Sequence, residues 1–402
     1  MQTENLSPDH NELAKKTVYS ILFSISFAHL LNDLLQAVIP AAYPILKDSY
    51  GLSFTQIGLI TFSYQMAASI LQPFVGFYTD KNPKPFSQII GMLFSISGIV
   101  MLSYADTFPL ILLSVILVGT GSSIFHPEAS RISYLASGGK RGLAQSIFQI
   151  GGNTGTAIGP LLIAWIVVPH GQRYIIWFTL IGVLALIVLA RIAKWYQGHL
   201  NLNAKKKIVL ENLPNLSQRR IVISVVILLV MIFSKYFYIA SISSYFTFYL
   251  IEKFGLSVQD AQFHLFLFLL SVAAGTLLGG PLGDKFGRKY VIWFSVLGAA
   301  PFTLLLPYAD LFWTGVLSVV IGVIISSAFP AILVYAQELL PKKLGMVSGL
   351  FYGFAFGMGG LGSALLGYMA DHTGIEYVYH ICAYLPLIGI IAYFLPDLKK
   401  NG

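Results

Sequence analysis

Long apolar segments recur along the whole chain, and they constrain the fold more than any other feature of the sequence. A helix needs about 20 mostly apolar residues to cross the hydrocarbon core of a bilayer. The composition agrees, because 56% of the residues are hydrophobic and only 10% are charged. A soluble domain has about 25% charged residues. The sequence therefore predicts an all-α integral membrane protein.

Turn residues and charges divide the apolar segments into twelve predicted helices. Their ranges are 18–46, 54–79, 86–105, 109–137, 141–168, 173–196, 219–251, 258–283, 289–308, 311–340, 343–370 and 376–395. The longest polar connection separates the sixth helix from the seventh. We therefore predict a cytoplasmic tail (1–17), a six-helix bundle (18–196), a cytoplasmic linker (197–218), a second six-helix bundle (219–396) and a cytoplasmic tail (397–402).

Positive charges are concentrated on one side of the predicted helices. With the N-terminus placed inside, 20 of the 25 Lys and Arg residues fall in the inside loops and tails. The exceptions are Lys47, Arg173 and Lys253 in outside loops, and Arg131 and Lys235 within helices. By the positive-inside rule this bias places both termini in the cytoplasm. The net charge of +8 therefore reflects membrane orientation and not binding of nucleic acid.

The two halves of the chain repeat each other. The segment "GLSFTQIGL…GFYTDK" (51–81) aligns with "GLSVQDAQF…GPLGDK" (255–285), so that Asp80 falls on Asp284, 204 residues later. Repeats of six helices are typical of transporters in which one half rocks against the other around a site near the bilayer midplane. The duplication favours a transporter over a channel or a membrane enzyme.

Three segments carry a resemblance to a known family. "GPLGDKFGRKY" (280–290) resembles the loop motif G-x-L-x-D-R/K-x-G-R-R/K of the major facilitator superfamily, and its counterpart "GFYTDKNPKPF" (76–86) lacks the later glycine and arginine. "GGNTGTAIGP" (151–160) resembles the glycine-proline motif of the drug antiporter branch. The resemblance implies a monomeric twelve-helix transporter of the major facilitator fold, with a cavity lined by helices one, four, seven and ten. It also implies gating or structural roles for Asp80, Asp284, Arg288, Gly151, Gly155, Gly159 and Pro160.

Further segments resemble one subfamily. "SFAHLLNDLLQAVIPAAYP" (26–44), "VGTGSSIFHPEASR" (118–131) and "GLAQSIFQIGGN" (142–153) are similar to the fosmidomycin resistance proteins. These are efflux transporters of the same superfamily, named for a phosphonate antibiotic. The resemblance implies efflux of a drug across a bacterial inner membrane.

The first helix carries a polar stripe. His29, Asn32, Asp33 and Gln36 recur at three- and four-residue steps and share one face. Asp33 is the only carboxylate near the middle of a predicted helix, and ionisable groups inside a membrane are functional hypotheses by default. A carboxylate and an imidazole one turn apart can exchange a proton. We expect Asp33 and His29 to couple protons and Asn32 and Gln36 to meet substrate; alternatively, Asp33 and His29 only satisfy each other.

The segment "SSIFHPEASR" (122–131) in the fourth helix contains two sites. Ser122 and His126 share a face and suit the wall of a substrate cavity. Glu128 and Arg131 lie on another face at i, i+3 spacing, where they can neutralise one another. This pair is expected to lock a gate or a helix contact, since buried charges are tolerated mainly when paired. The alternative is a direct substrate role.

The second half supplies its own charges. Lys235, near the middle of the seventh helix, is predicted to bind substrate together with Tyr238, or else to form a permanent salt bridge with Asp33. Glu338, at the inner end of the tenth helix, is predicted to pair with Arg288. Gly151, Gly155 and Gly159 are spaced to let the fifth helix approach a neighbour closely.

These residues favour an anionic substrate, because Lys235, His126 and Arg131 outnumber Asp33. The sequence contains no phosphate-binding G-x-x-x-x-G-K-[ST] segment, so ATP is not expected to drive transport directly. His29 and Asp33 have a spacing compatible with metal ligation, but a membrane metal enzyme would need a third ligand. We predict proton-driven efflux of a small anionic compound, without cofactor, metal or nucleic acid; the alternative is proton-coupled uptake of an anionic nutrient. Protons, the substrate and the lipid bilayer are the expected partners.

Overall fold

The computed structural model describes residues 17–203, 216–340 and 343–397. Twelve long helical segments make up this part of the chain. They are α1 Tyr19–Tyr50, α2 Phe54–Lys81, α3 Ser87–Tyr104, α4 Phe108–Leu135, α5 Arg141–His170, α6 Gln172–Asn201, α7 Gln218–Phe254, α8 Val258–Phe286, α9 Arg288–Tyr308, α10 Leu311–Leu339, α11 Leu344–Thr373 and α12 Ile375–Phe394. Eleven of them are long and apolar enough to cross a membrane, and α2 is the more polar exception. The predicted twelve-helix, all-α fold is confirmed.

The predicted helix bounds agree with the structure within a few residues, with the largest difference at the end of the first half. The helical conformation of α6 continues two residues beyond the apolar span given above, to Asn203, and so extends into the predicted linker 197–218. The predicted tails and the middle of the linker, at 1–16, 204–215 and 398–402, lie outside the described residues. The division of the chain at 197–218 therefore stays a prediction.

Several helices contain interruptions. Pro40 precedes a change of helix at Ala42 in α1, and α10 is broken at Ser327. Pro160 precedes a π-helical turn, Ile163–Val167, in α5. Proline has no N–H and removes one hydrogen bond from the helix. The packed neighbours of these helices must therefore hold them at those positions.

Glycines bring α5 against α1, as their spacing predicts. A side chain at any of three positions would collide with α1: Gly151 faces Ser26, Gly155 faces Leu30 and Gly159 faces Ala37. The Ser26 hydroxyl donates across this contact to the Ile147 carbonyl, at 2.5 Å. Small residues permit such close approach between helices in a membrane. The structure therefore has the close helix approach that the glycine spacing predicts.

The two halves, α1–α6 and α7–α12, meet along two long helix pairs. Helix α2 packs on α11, and α5 packs on α8. Gly58 lies against Ser363 near one end of the first pair, and Gly76 lies against Gly345 near the other. The internal repeat carries α2 onto α8 and α5 onto α11, so the two pairs are equivalent. The site between the halves is therefore enclosed by related surfaces.

Both ends of this interface are held by carboxylates. We define the terminal face as the one where α1 begins and α12 ends. At the terminal face Asp80 accepts hydrogen bonds from the backbone N–H groups of Gly345 (3.1 Å) and Met346 (2.9 Å). At the opposite face Asp371 accepts from the N–H groups of Phe54 (3.0 Å) and Thr55 (2.8 Å). Contacts between the halves therefore bracket the interior at both ends.

Candidate functional site

A cavity of about 180 Å³ lies between the two halves. Its lining comes from α1, α2, α4, α5, α7, α8, α10 and α11. The predicted lining by helices one, four, seven and ten is therefore incomplete. The other four helices contribute because α2 and α11, and α5 and α8, meet at the walls of the same small space.

Three ionisable side chains form the core of the site, and we call them the His–Asp–His cluster: His29, Asp33 and His126. The Nε2 atom of His29 lies 3.1 Å from Oδ2 of Asp33, and Nε2 of His126 lies 3.6 Å from Oδ1. The two Nε2 atoms are 3.3 Å apart. Both imidazoles are almost fully buried. Ring contacts fix them in place, since His29 stacks on Phe148 with a centroid distance of 4.1 Å.

The cluster combines residues that the sequence had assigned to different roles. His126 was expected to meet substrate, whereas the structure also places it against the proposed proton-coupling pair. It also supplies the third candidate metal ligand, because the three ligand atoms lie within 4.8 Å of one another. The prediction that no third ligand accompanies His29 and Asp33 is therefore wrong. The third ligand comes from α4, which packs beside α1, and residue spacing along one helix cannot reveal a contact with another helix.

Amide and hydroxyl groups surround the cluster. Asn32 donates to Oδ1 of Asp33 at 2.9 Å, and Gln36 donates to the same oxygen at 3.4 Å. Ser122 lies 3.2 Å from Nδ1 of His126. Gln36 lines the cavity, whereas Asn32 and Ser122 do not. These two predicted substrate residues therefore contact the cluster and not the open space.

Lys235 lines the same cavity from α7. Its side chain is buried, with 3% exposed, and Nζ donates to the Ser326 carbonyl at 3.4 Å. Nζ also lies 5.5 Å from the ring centroid of Tyr236 and 5.3 Å from that of Phe329. Among the residues that the structure describes, Lys235 forms no ion pair with a carboxylate. The alternative salt bridge to Asp33 is therefore not formed.

The tyrosine of α7 that lines the cavity is Tyr236, and not Tyr238 as predicted. Tyr238 is buried and does not line the cavity, whereas Tyr236 does. Two residues along an α-helix turn by about 200°, so these two side chains point to opposite sides of α7. The lining of α7 follows Lys235, Tyr236, Ile239, Ala240 and Ser243.

A second charged cluster lies at the terminal face, away from the cavity. Arg131 contacts Glu128 at 2.9 Å, as predicted, and also Asp80 at 2.5 Å. It donates further to the Thr79 carbonyl at 2.7 Å. The loop after α2 lacks the arginine of the family motif, and Arg131 from α4 supplies a guanidinium to Asp80 instead. The predicted ion pair of Glu128 with Arg131 is therefore present, and neither residue lines the cavity.

The second half has its own version of this cluster. Arg288 contacts Asp284 at 3.0 Å and Glu338 at 3.1 Å. The predicted ion pair between Arg288 and Glu338 is therefore present. Asp284 also lies beside Gly142 at the start of α5, in the position that corresponds to Asp80 beside Met346. Each carboxylate thus joins its own half to the other.

Some lining residues were not singled out from the sequence. Gln149 accepts a hydrogen bond from the Tyr352 hydroxyl at 2.7 Å, across the two halves. Asn153 donates to Thr276 at 2.7 Å, also across the halves. Gln149 and Asn153 are one helical turn apart, and their i, i+4 spacing on an apolar helix was a usable signal.

A family model described as "Major Facilitator Superfamily" matches residues 25–263 and 228–402, so the chain belongs to the major facilitator superfamily of transporters. The fosmidomycin resistance protein of Escherichia coli (strain K12) is 60% identical over 388 residues, which cover 96% of this chain and 95% of that protein. The chain therefore falls within the family of that protein. An uncharacterized MFS-type transporter of Bacillus subtilis (strain 168), YfnC, is 46% identical and covers 96% of this chain and 94% of its own.

Solved structures show the same fold. FucP in the outward conformation superimposes with a TM-score of 0.69 at 16% identity, covering 96% of this chain and all of its own. The human organic anion transporter MFSD10 (TETRAN) gives a TM-score of 0.72 at 14% identity, covering 95% of this chain. The protein is therefore a multi-pass membrane transporter of the major facilitator fold with two six-helix repeats, and not an enzyme.

Proposed function

We propose that the protein is a proton-coupled antiporter that exports a small anionic drug, such as a fosmidomycin-like phosphonate, by alternating access. The observation that carries this proposal is that the His–Asp–His cluster and Lys235 line the same cavity. The 60% identical relative is named for fosmidomycin resistance, which supports a phosphonate as the exported compound.

The proposed proton carriers are Asp33 and His29, one helical turn apart on α1. Because Asp33 contacts both imidazoles and still has 16% of its side chain exposed, a proton from the cavity can reach the cluster. Protonation then changes the charge of the cluster. His126 extends the proton site and also faces the cavity.

The proposed substrate site uses Lys235, His126 and Gln36. Lys235 has a buried ammonium with no carboxylate partner in the described part of the chain. Such a charge favours an anion, because charge in a low-dielectric cleft is stabilised by opposite charge. Lysine binds phosphate-like groups as a point charge. The rings of Tyr236 and Phe329 beside Nζ supply the apolar part of the site.

Alternating access requires the carboxylate contacts at the terminal face to open. Asp80 would release the start of α11, and Arg131 would act as its latch. Asp284 would release the start of α5, and the pair of Arg288 with Glu338 would act as the latch there. We place the terminal face in the cytoplasm of a bacterial cell, with the protein as a monomer in the inner membrane. The concentration of Lys and Arg at that face supports this orientation.

The test compares two kinds of transport in proteoliposomes. Asp33→Asn is expected to abolish substrate transport driven by a pH gradient, and to leave substrate exchange at equal pH largely intact, because the amide cannot carry the proton. A pH-sensitive dye and labelled phosphonate measure both. Asp48→Asn, an exposed carboxylate on the same helix, is the matched control and should behave as wild type. Equal loss of both activities in Asp33→Asn would remove Asp33 as the coupling residue.

A further inference from the structure

The tautomers of the two histidines in the His–Asp–His cluster follow from their surroundings. Nδ1 of His29 lies 2.9 Å from the Phe148 carbonyl oxygen, and Nδ1 of His126 lies 3.1 Å from the Ser122 carbonyl oxygen. A carbonyl oxygen only accepts hydrogen bonds, so an Nδ1 bonded to one carries a hydrogen. The Ser122 hydroxyl, 3.2 Å from Nδ1 of His126, is compatible with this tautomer, because it can accept from Nδ1 while it donates to Oε1 of Gln36. In a neutral imidazole the other nitrogen, Nε2, then has a free lone pair.

The centre of the cluster is consequently rich in electron pairs. Two Nε2 lone pairs and the two oxygens of one carboxylate face the same small region. Oδ2 of Asp33 lies 3.1 Å from Nε2 of His29, Oδ1 lies 3.6 Å from Nε2 of His126, and the two Nε2 atoms are 3.3 Å apart. Such a group of acceptors is stabilised by a cation between them. Histidines that bind metals usually donate their other ring N–H to a backbone carbonyl or a carboxylate, and both histidines of this cluster do so.

The 3.3 Å separation of the two Nε2 atoms also suits a particular class of cation. Tetrahedral zinc with bonds of about 2.0–2.1 Å to nitrogen places its ligand atoms about 3.3–3.4 Å apart. Gly152 leaves the necessary space, because a Cβ at that position would lie 2.6 Å from Oδ2 of Asp33 and nearer still to Nε2 of His29. The three side chains line the cavity, which leaves a fourth coordination position open.

We propose that His29, Asp33 and His126 form a binding site for one divalent transition-metal ion, Zn²⁺, with its fourth position open to the cavity. This is a site that the transport proposal does not require. The same lone pairs would hold either a proton or the metal ion. Two histidines and a carboxylate with an open position form the ligand set of many protein zinc sites.

The test measures Zn²⁺ binding to the full-length protein in detergent, with any purification tag removed and prior treatment with a chelator. Isothermal titration calorimetry is expected to give one Zn²⁺ per chain for wild type. His126→Gln should weaken the affinity at least about 100-fold, since even changes behind the ligands cost 10–100-fold. His372→Gln, an exposed histidine outside the cavity, is the matched control and should retain wild-type affinity. Co²⁺ should give the intense visible absorption of tetrahedral coordination in wild type and lose it in His126→Gln.

Gly152→Ala keeps all three ligands but places a methyl group against the ligand atoms of His29 and Asp33, and should lose Zn²⁺ binding. Wild-type protein that binds no Zn²⁺ would overturn the proposal, and so would equal affinities in His126→Gln and His372→Gln. Wild-type affinity in Gly152→Ala would also overturn the placement of the ion. Because binding is measured without transport, a failure of the proton-flux experiment leaves this result unaffected.

Discussion

Lys235 is expected to determine the charge of the transported compound, and Lys235→Gln tests this. Lys235 is 3% exposed, and its ammonium donates a hydrogen bond to the Ser326 carbonyl at 3.4 Å. An anion that enters the cavity therefore meets a cation that has no carboxylate partner among the described residues. Glutamine keeps much of the side-chain length and removes only the charge.

The expected magnitude follows from the burial of this side chain. A hydrogen bond to a charged group contributes about 1.5–3 kcal/mol net. Because about 1.4 kcal/mol corresponds to a tenfold change in affinity, Lys235→Gln should weaken binding of the anion roughly 10- to 150-fold. A neutral compound of the same shape should change much less, and a cationic one should bind more tightly, because a repulsive charge is removed.

The assay compares affinities of purified protein for a phosphonate, its neutral ester and an amine built on the same carbon skeleton. Wild type should prefer the phosphonate, and the preference should collapse in Lys235→Gln. Lys84→Gln removes the same charge from an exposed position outside the cavity and serves as the matched control. A wild-type preference for the amine would refute the reasoning. An affinity for the phosphonate that Lys235→Gln leaves untouched would refute it as well.

Three further experiments test the gates and the packing. Glu338→Lys should impair transport, and adding Arg288→Glu should restore part of it if the two form a latch; purely additive losses in the double-mutant cycle would contradict the pairing. Arg131→Gln removes the cation from the buried carboxylate beside it and should destabilise the protein by about 3–5 kcal/mol, seen as a lower unfolding temperature in detergent; an unchanged temperature would show that the pair is not needed. Gly155→Leu should collide with the backbone of α1 and reduce the yield of monodisperse protein, whereas Gly198→Leu, with open space around it, should not; equal yields would contradict the close packing.

Local patterns in the sequence predicted much of this molecule. Hydrophobic length and turn residues identified all twelve helices, because a helix that spans a bilayer must satisfy its backbone within one continuous segment. The spacing of Gly151, Gly155 and Gly159 predicted the close approach of α5 to a neighbour, and the structure shows that the neighbour is α1. The ion pair of Glu128 with Arg131 was predictable from i, i+3 spacing within one helix.

The composition of the site depended on contacts between helices. His126 and His29 are 97 residues apart in sequence, and their Nε2 atoms are 3.3 Å apart in space. Likewise, Arg131 from α4 replaces the missing motif arginine beside Asp80. Periodicity along one helix shows which residues share a face, but not which face a neighbouring helix covers. For this reason the sequence did not reveal that Tyr236, and not Tyr238, faces the cavity from α7. The sequence by itself therefore determined the helices, the repeat and the supply of ionisable groups. Only the packing of α1, α4 and α7 around one cavity decided which of those groups meet. This packing depends on side-chain contacts throughout the bundle, which no local pattern contains.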